Sequence, residues 1–142
     1  MAQTSTLHIV IVDDDDHLRL LARMLVDDAL SEVEHRITEV ADGETAIELC
    51  RREQVDILVL DLHMPNVSGH AVLDSLSDLP DSPRVVAWSA DAHALQVAAH
   101  QGAHATAIKG TDGKNLIVAV RGCLPRLRTA SDTTADSASR RR

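Results

Sequence analysis

"LHIVIVDDDD", residues 7–16, passes from an apolar run of strand length straight into four adjacent carboxylates. The run is nearly continuous rather than alternating, as expected of a strand buried on both faces. Beyond the acids, Leu18, Leu21, Ala22, Leu25 and Ala29 recur at helical spacing,. Strand, polar end and amphipathic helix make one βα unit. The same order returns four more times. "VEHRITEV" (33–40), "DILVL" (56–60), "RVVAWS" (84–89) and "ATAIK" (105–109) read as strands. Helical stripes follow them: Ala46, Ile47 and Cys50; Val72, Leu73, Leu76 and Leu79; Leu95, Ala98 and Ala99; Leu116, Ile117, Val120 and Cys123. Five such units predict an α/β fold, a doubly wound five-stranded parallel sheet with right-handed crossovers and helices on both faces.

Composition agrees. A chain of 142 residues, 44% hydrophobic, suits one domain with a real core,. With one Trp, no Tyr and no Phe, that core must be aliphatic. The formal charge of −8 argues against a nucleic-acid or anionic-membrane surface, which needs a basic patch; proteins and small ions are the expected partners. Cys50 and Cys123 have no disulfide-framework spacing and read as core residues in a reducing cytosol,. The N-terminus has no basic region, and its apolar run ends in acids, so neither a signal peptide nor a membrane span is expected. The expected location is the cytoplasm. The periodic pattern divides the chain into an N-terminal extension (1–6), a domain (7–125) and a small, polar, aperiodic tail (126–142) expected to be disordered,. The closing "RRR" reads as solubilising.

In a sheet of this kind ligands bind at the carboxyl ends of the strands. The first strand ends in Asp13 and Asp14, the third in Asp61, the fourth in Ser89 and the fifth in Lys109; the second, an edge strand, ends in the unreactive "ADG". Two carboxylates about 4 Å apart repel by roughly 4 kcal/mol at an effective dielectric near 20. Such a cluster either raises its pKa values or takes a cation. Oxygen-only donors on loops suit Mg2+. Three negative charges then balance Mg2+ and Lys109. A phosphoryl group would find the metal, Lys109 and Ser89 for its oxygens, with one carboxylate left as nucleophile.

The blocks "VDDDD" (12–16), "DLHMPNVSG" (61–69), "SA" (89–90) and "GAHATAIKG" (102–110), in this order, resemble those of a bacterial response-regulator receiver domain. The resemblance covers roughly residues 7–124. It implies a flavodoxin-like (βα)5 fold with strand order 2-1-3-4-5 and a phospho-acceptor at Asp61. The donor would be a histidine kinase or phosphotransfer protein. Asp14 would bind Mg2+ directly, Asp13 mainly through water, and Asp61 and the backbone carbonyl of His63 would complete the protein ligands. Ser89 and Lys109 would take the phosphoryl oxygens. His63 and Asp91, two residues beyond Asp61 and Ser89, would flank the path of an attacking water. Asp15 and Asp16 fall instead at the start of the first helix, where free N–H groups welcome carboxylates.

Two positions depart from that family. Gly110 follows Lys109 where the family often has a cis Pro, so a trans bond is expected. Thr106 stands where the family usually has an aromatic residue, so an aromatic switch on the fifth strand cannot operate. The eight histidines read as solvated surface residues; His100 and His104 are four apart, but "QG" between them ends the helix, so they share no face. Nothing after Pro125 has the pattern of a DNA-binding helix pair. The sequence is therefore expected to act as a stand-alone receiver, as a monomer or weak dimer. It would signal through a downstream protein or onward phosphotransfer, with no chemistry beyond its own phosphorylation and dephosphorylation. Two other readings remain open. One is a haloacid-dehalogenase-like phosphohydrolase, for which "DDD" at 13–15 supplies a D-x-D but His17 and the lack of a cap fit poorly. The other is a degenerate receiver used only for binding.

Overall fold

The computed structural model describes residues 6–110 and 112–124. All five βα units are present. The strands are β1 (Leu7–Val12), β2 (His35–Val40), β3 (Ile57–Asp61), β4 (Arg84–Ser89) and β5 (Ala105–Ile108). The helices are α1 (Asp16–Ala29), α2 (Gly43–Arg52), α3 (Gly69–Leu76), α4 (Ala92–His100) and α5 (Lys114–Gly122). The strands form one parallel sheet in the order β2-β1-β3-β4-β5. This is the flavodoxin-like (βα)5 arrangement expected.

The sheet separates two aliphatic cores. Val10, Val12, Leu58, Leu60, Val85 and Ala87 face α2, α3 and α4, packing on Ala46, Val72, Leu76 and Ala98. Alternate residues Ile9, Ile11, Ile57, Val59, Val86, Trp88 and Ala107 face α1 and α5, packing on Ala22, Val26, Leu116 and Val120. Burial on both faces is what makes β1 and β3 continuous apolar runs.

Side-chain caps fix where helices begin. Asp15 accepts from the N–H groups of His17 and Leu18, Asp42 from Thr45, Ser68 from Ala71, and Asp91 from His93 and Ala94. Each satisfies donors that the first helical turn leaves unpaired. The four-acid run thus divides as expected, Asp15 capping α1 and Asp16 entering its first turn.

Several boundaries and stripes differ from the sequence reading. β2 begins at His35 rather than residue 33. β3 begins at Ile57, one residue later than expected; Asp56 just before it bonds to His8, its carboxylate accepting from the His8 N–H and its own N–H donating to the His8 carbonyl. β3 in turn runs through Asp61, and β5 ends before Lys109. Leu21 is 43% exposed: it lies about 100° round α1 from Ala22, off the buried face set by Ala22, Val26 and Ala29,. Leu79 lies beyond the end of α3, and Ala99 is exposed while Ala94 is buried. Cys123 is buried, as expected, but Cys50 is only half-buried, with its thiol pushed up to about 11 by desolvation. His8 corrects the surface reading of the histidines. It is 2% exposed, and its ring nitrogens meet Thr38 Oγ1 at 2.8 Å and the Gln54 carbonyl at 3.3 Å.

No cis peptide bond occurs among the described residues, and Gly110 takes a φ of 101°. No helix among them is long and apolar enough to cross a membrane. The tail at 126–142, and the N-terminal extension apart from Thr6, lie outside the described residues.

Candidate functional site

Side chains alternate along a strand with period two, and this decides which strand ends converge. Asp13 continues the face of Ile9 and Ile11, Asp61 that of Ile57 and Val59, and Lys109 that of Ala105 and Ala107. All three therefore emerge on the α1/α5 side at the carboxyl edge. There the Lys109 ammonium donates to Asp13 Oδ2 at 2.9 Å and to Asp61 Oδ1 at 3.0 Å. The Lys109 N–H donates to the Ser89 carbonyl, prolonging the β4–β5 ladder one residue past β5 and holding the lysine backbone in place.

Charge and burial are strongly coupled here. Asp13 and Asp61 are 1% and 4% exposed. Burial, and then the charge of Asp13, raise the Asp61 carboxyl above the ordinary carboxylate range, and Lys109 offsets only part of this. Burial also works against the charge on Lys109. Its hydrogen bonds to Asp13 and Asp61, with their charges, outweigh that cost, so its pKa rises. Asp14 is exposed beside them. Asp13, Asp14 and Asp61 each offer an oxygen within 4.8 Å of the others'. Three carboxylates against one ammonium leave an excess negative charge on hard oxygen donors, a set that suits a dication such as Mg2+.

The loops are built to keep these groups in place. The Asp15 N–H donates to Asp13 Oδ1, and the Arg19 guanidinium donates to the Asp13 carbonyl at 2.7 Å while also reaching Asp16 and Glu39. After β3, Asn66 adopts a φ of 69°, and the Gly69 N–H donates to the Leu62 carbonyl. A Cβ at Gly69 would lie 2.3 Å from the Asp61 carbonyl oxygen. Only glycine allows α3 to start so close to the end of β3.

The remaining expected site residues lie on β4, on β5 and on the loops that follow β3 and β4. Ser89 is buried, and its Oγ accepts from the Asp91 N–H at 3.1 Å. His63, exposed, places its N–H 3.4 Å from Asp61 Oδ1 and its Nε2 3.3 Å from Asp91 Oδ2. Asp91 thereby caps α4 and reaches His63 with one carboxylate. Hydrogen bonds from the Ala94 N–H foremost hold it below the ordinary range. Thr106 is exposed, on the opposite side of β5 from Ala105 and Ala107.

Sequence reasoning missed Arg19, Gly69 and the contact of Trp88 with Lys109, whose Nζ lies 4.8 Å from the indole centroid. Strand parity carried a signal for Trp88, which shares the face of Asp61 and Lys109. Arg19 had none, since its bond is to a backbone carbonyl.

The family described as "Response regulator receiver domain" matches residues 9–121. The nitrate/nitrite response regulator protein NarP of Escherichia coli is 32% identical over 127 residues, covering 85% of this chain and 56% of that protein. The chain spans about half the length of the curated relatives it matches. Among solved structures, the signal receiver domain of a putative Luxo repressor protein from Vibrio parahaemolyticus superposes with a TM-score of 0.73 at 22% identity, covering 84% of this chain and 90% of that one. A chemotaxis response regulator of Vibrio cholerae also gives a TM-score of 0.73, at 17% identity and coverage of 84% and 100%.

Proposed function

The chain belongs to the response regulator receiver family, and from that premise we propose that it is a phospho-acceptor of a two-component relay, taking a phosphoryl group onto Asp61. The observation that carries this reading is the pair of hydrogen-bonded ion pairs from the Lys109 ammonium to Asp13 and Asp61. It holds a cation at the buried acceptor before any phosphate arrives, so charge developing on a transferring phosphoryl group meets a fixed partner.

An Asp61 carboxylate oxygen attacks phosphorus, the bond from phosphorus to the donor breaks, and the donor nitrogen or oxygen keeps the bonding pair. Lys109 moves from the carboxylate to a phosphoryl oxygen, and the buried Ser89 hydroxyl offers a second donor beside it. Mg2+, held by Asp13, Asp14, Asp61 and the His63 carbonyl, would neutralise the excess charge of the three acids. Water attack at phosphorus then returns free carboxylate and inorganic phosphate, and His63 and Asp91 flank that approach. The donor would be a histidine kinase or phosphotransfer protein in the cytoplasm. The output would be a protein contact or onward phosphotransfer.

Incubation with acetyl phosphate, followed by intact-protein mass spectrometry, tests this. One phosphoryl group is expected, with Mg2+ present and not without it, and p-nitrophenyl phosphate should not be turned over. Absence of label, or steady release of p-nitrophenol, contradicts the reading.

A further inference from the structure

Lys109 follows β5, whereas its partner Asp61 ends β3, with β4 between them. Adjacent strands lie about 4.8 Å apart, so the lysine side chain must cross the whole width of β4. The residue it crosses is set by register. Asp61 pairs with Trp88, and Trp88 with Ala107, two residues before Lys109. Trp88 is 3% exposed and belongs to the same buried face. Its ring lies under the crossing, 4.8 Å from the ammonium. Ala107, opposite it on β5, is small.

We propose that Trp88 is a positioning residue for Lys109, its indole face forming the floor that carries the ammonium across β4 to Asp61. This rests on the phospho-acceptor reading, and the chemistry of that reading shows why the floor matters. Both carboxylates that hold the ammonium are altered in the reaction. Asp13 shares its charge with a bound cation, and Asp61 loses its charge on becoming an acyl phosphate. The ring face itself is altered by neither event. An aliphatic residue at 88 would fill space but offer no such face. The ammonium would then lack that contact when it must turn to the phosphoryl group.

The test compares Trp88→Phe, which keeps a π face, with Trp88→Leu, which does not, both checked for folding by far-UV circular dichroism. The first readout is the NMR shift of the Lys109 ε-CH2 group, measured without donor or metal. Ring current should displace it upfield in the unsubstituted protein and in Trp88→Phe, and the displacement should vanish in Trp88→Leu. An undisplaced Lys109 signal in the unsubstituted protein overturns the proposal. The second readout is the rate of labelling by acetyl phosphate with Mg2+. Leu should slow it about three- to thirty-fold, and Phe should stay within about threefold of the original, following the range of cation–π strengths. Equal rates for all three, or equal slowing by Phe and Leu, overturn the proposal. If the unsubstituted protein takes no label at all, the phospho-acceptor reading fails instead, and the NMR arm still decides whether Trp88 positions Lys109.

Discussion

The imidazole of His63 and the carboxylate of Asp91 stand 3.3 Å apart, Nε2 to Oδ2, joining the loop after β3 to the cap of α4. The contact ties together two side chains that are 28 positions apart in the chain. Their substitutions should be separable. Asp91→Ala removes the α4 cap, which should lower stability,, and should change the decay rate of phosphorylated protein. His63→Ala should change the decay rate with little loss of stability, because the exposed imidazole caps nothing. Chemical denaturation and label-decay measurements on both variants check this. Decay within error of the original in both would remove them from the water path.

Gly69 packs tightly behind Asp61. Gly69→Ala would drive a Cβ into the Asp61 carbonyl, so backbone must shift, at a cost of about 1–3 kcal/mol or more. The shift would fall on the strand end that carries Asp61. Labelling should slow as well, which a urea titration and a labelling time course would reveal together.

His104 supplies a pH dependence remote from the acidic centre. Its Nδ1 accepts the Val85 N–H at 3.0 Å, so that nitrogen must be unprotonated. Burial, and then the charge of Arg84, hold its pKa below the ordinary 6.5. The unfolded chain therefore takes up this proton first as pH falls. The stabilising contribution is complete above 6.5 and is lost as pH drops through the lower folded value. Stability measured from pH 8 to pH 5 should decline less steeply in His104→Asn, and hydrogen exchange at the Val85 amide should rise in the same window. Parallel curves for both proteins would contradict this.

Thr106 lies exposed with no ring to swing inward, so a phosphate signal should stay close to its source. Ser89 Oγ is bonded to the Asp91 N–H, and Asp91 caps α4. Beryllofluoride with Mg2+ should alter hydrogen exchange mainly across residues 89–101 and change the emission of Trp88. Altered exchange confined to residues 33–53, with unchanged emission, would place the signal on another face.

The strands and the acidic centre were legible because both follow from simple patterns. Continuous apolar runs marked strands buried on both faces, and the shared direction of parallel strands carried Asp13, Asp61 and Lys109 to one edge. What escaped was decided by partners far away in sequence. Leu21 fits a helical stripe yet is exposed, because the sheet covers only the arc centred on Ala22 and Val26. His8 looked like a surface histidine, but Thr38 and the Gln54 carbonyl satisfy its ring inside the protein. Arg19 and Gly69 act on backbone carbonyls, which carry no residue-specific signal.

The central claim concerns one carboxylate, and borohydride trapping addresses it directly. Reduction of an aspartyl phosphate leaves homoserine at the acceptor, and trypsin should release residues 53–84 as one peptide, bounded by Arg52 and Arg84. After acetyl phosphate and Mg2+ treatment, homoserine is expected at position 61 alone, and Asp61→Asn should give none. Homoserine at another aspartate in the unsubstituted protein, or undiminished labelling of Asp61→Asn, would contradict the account.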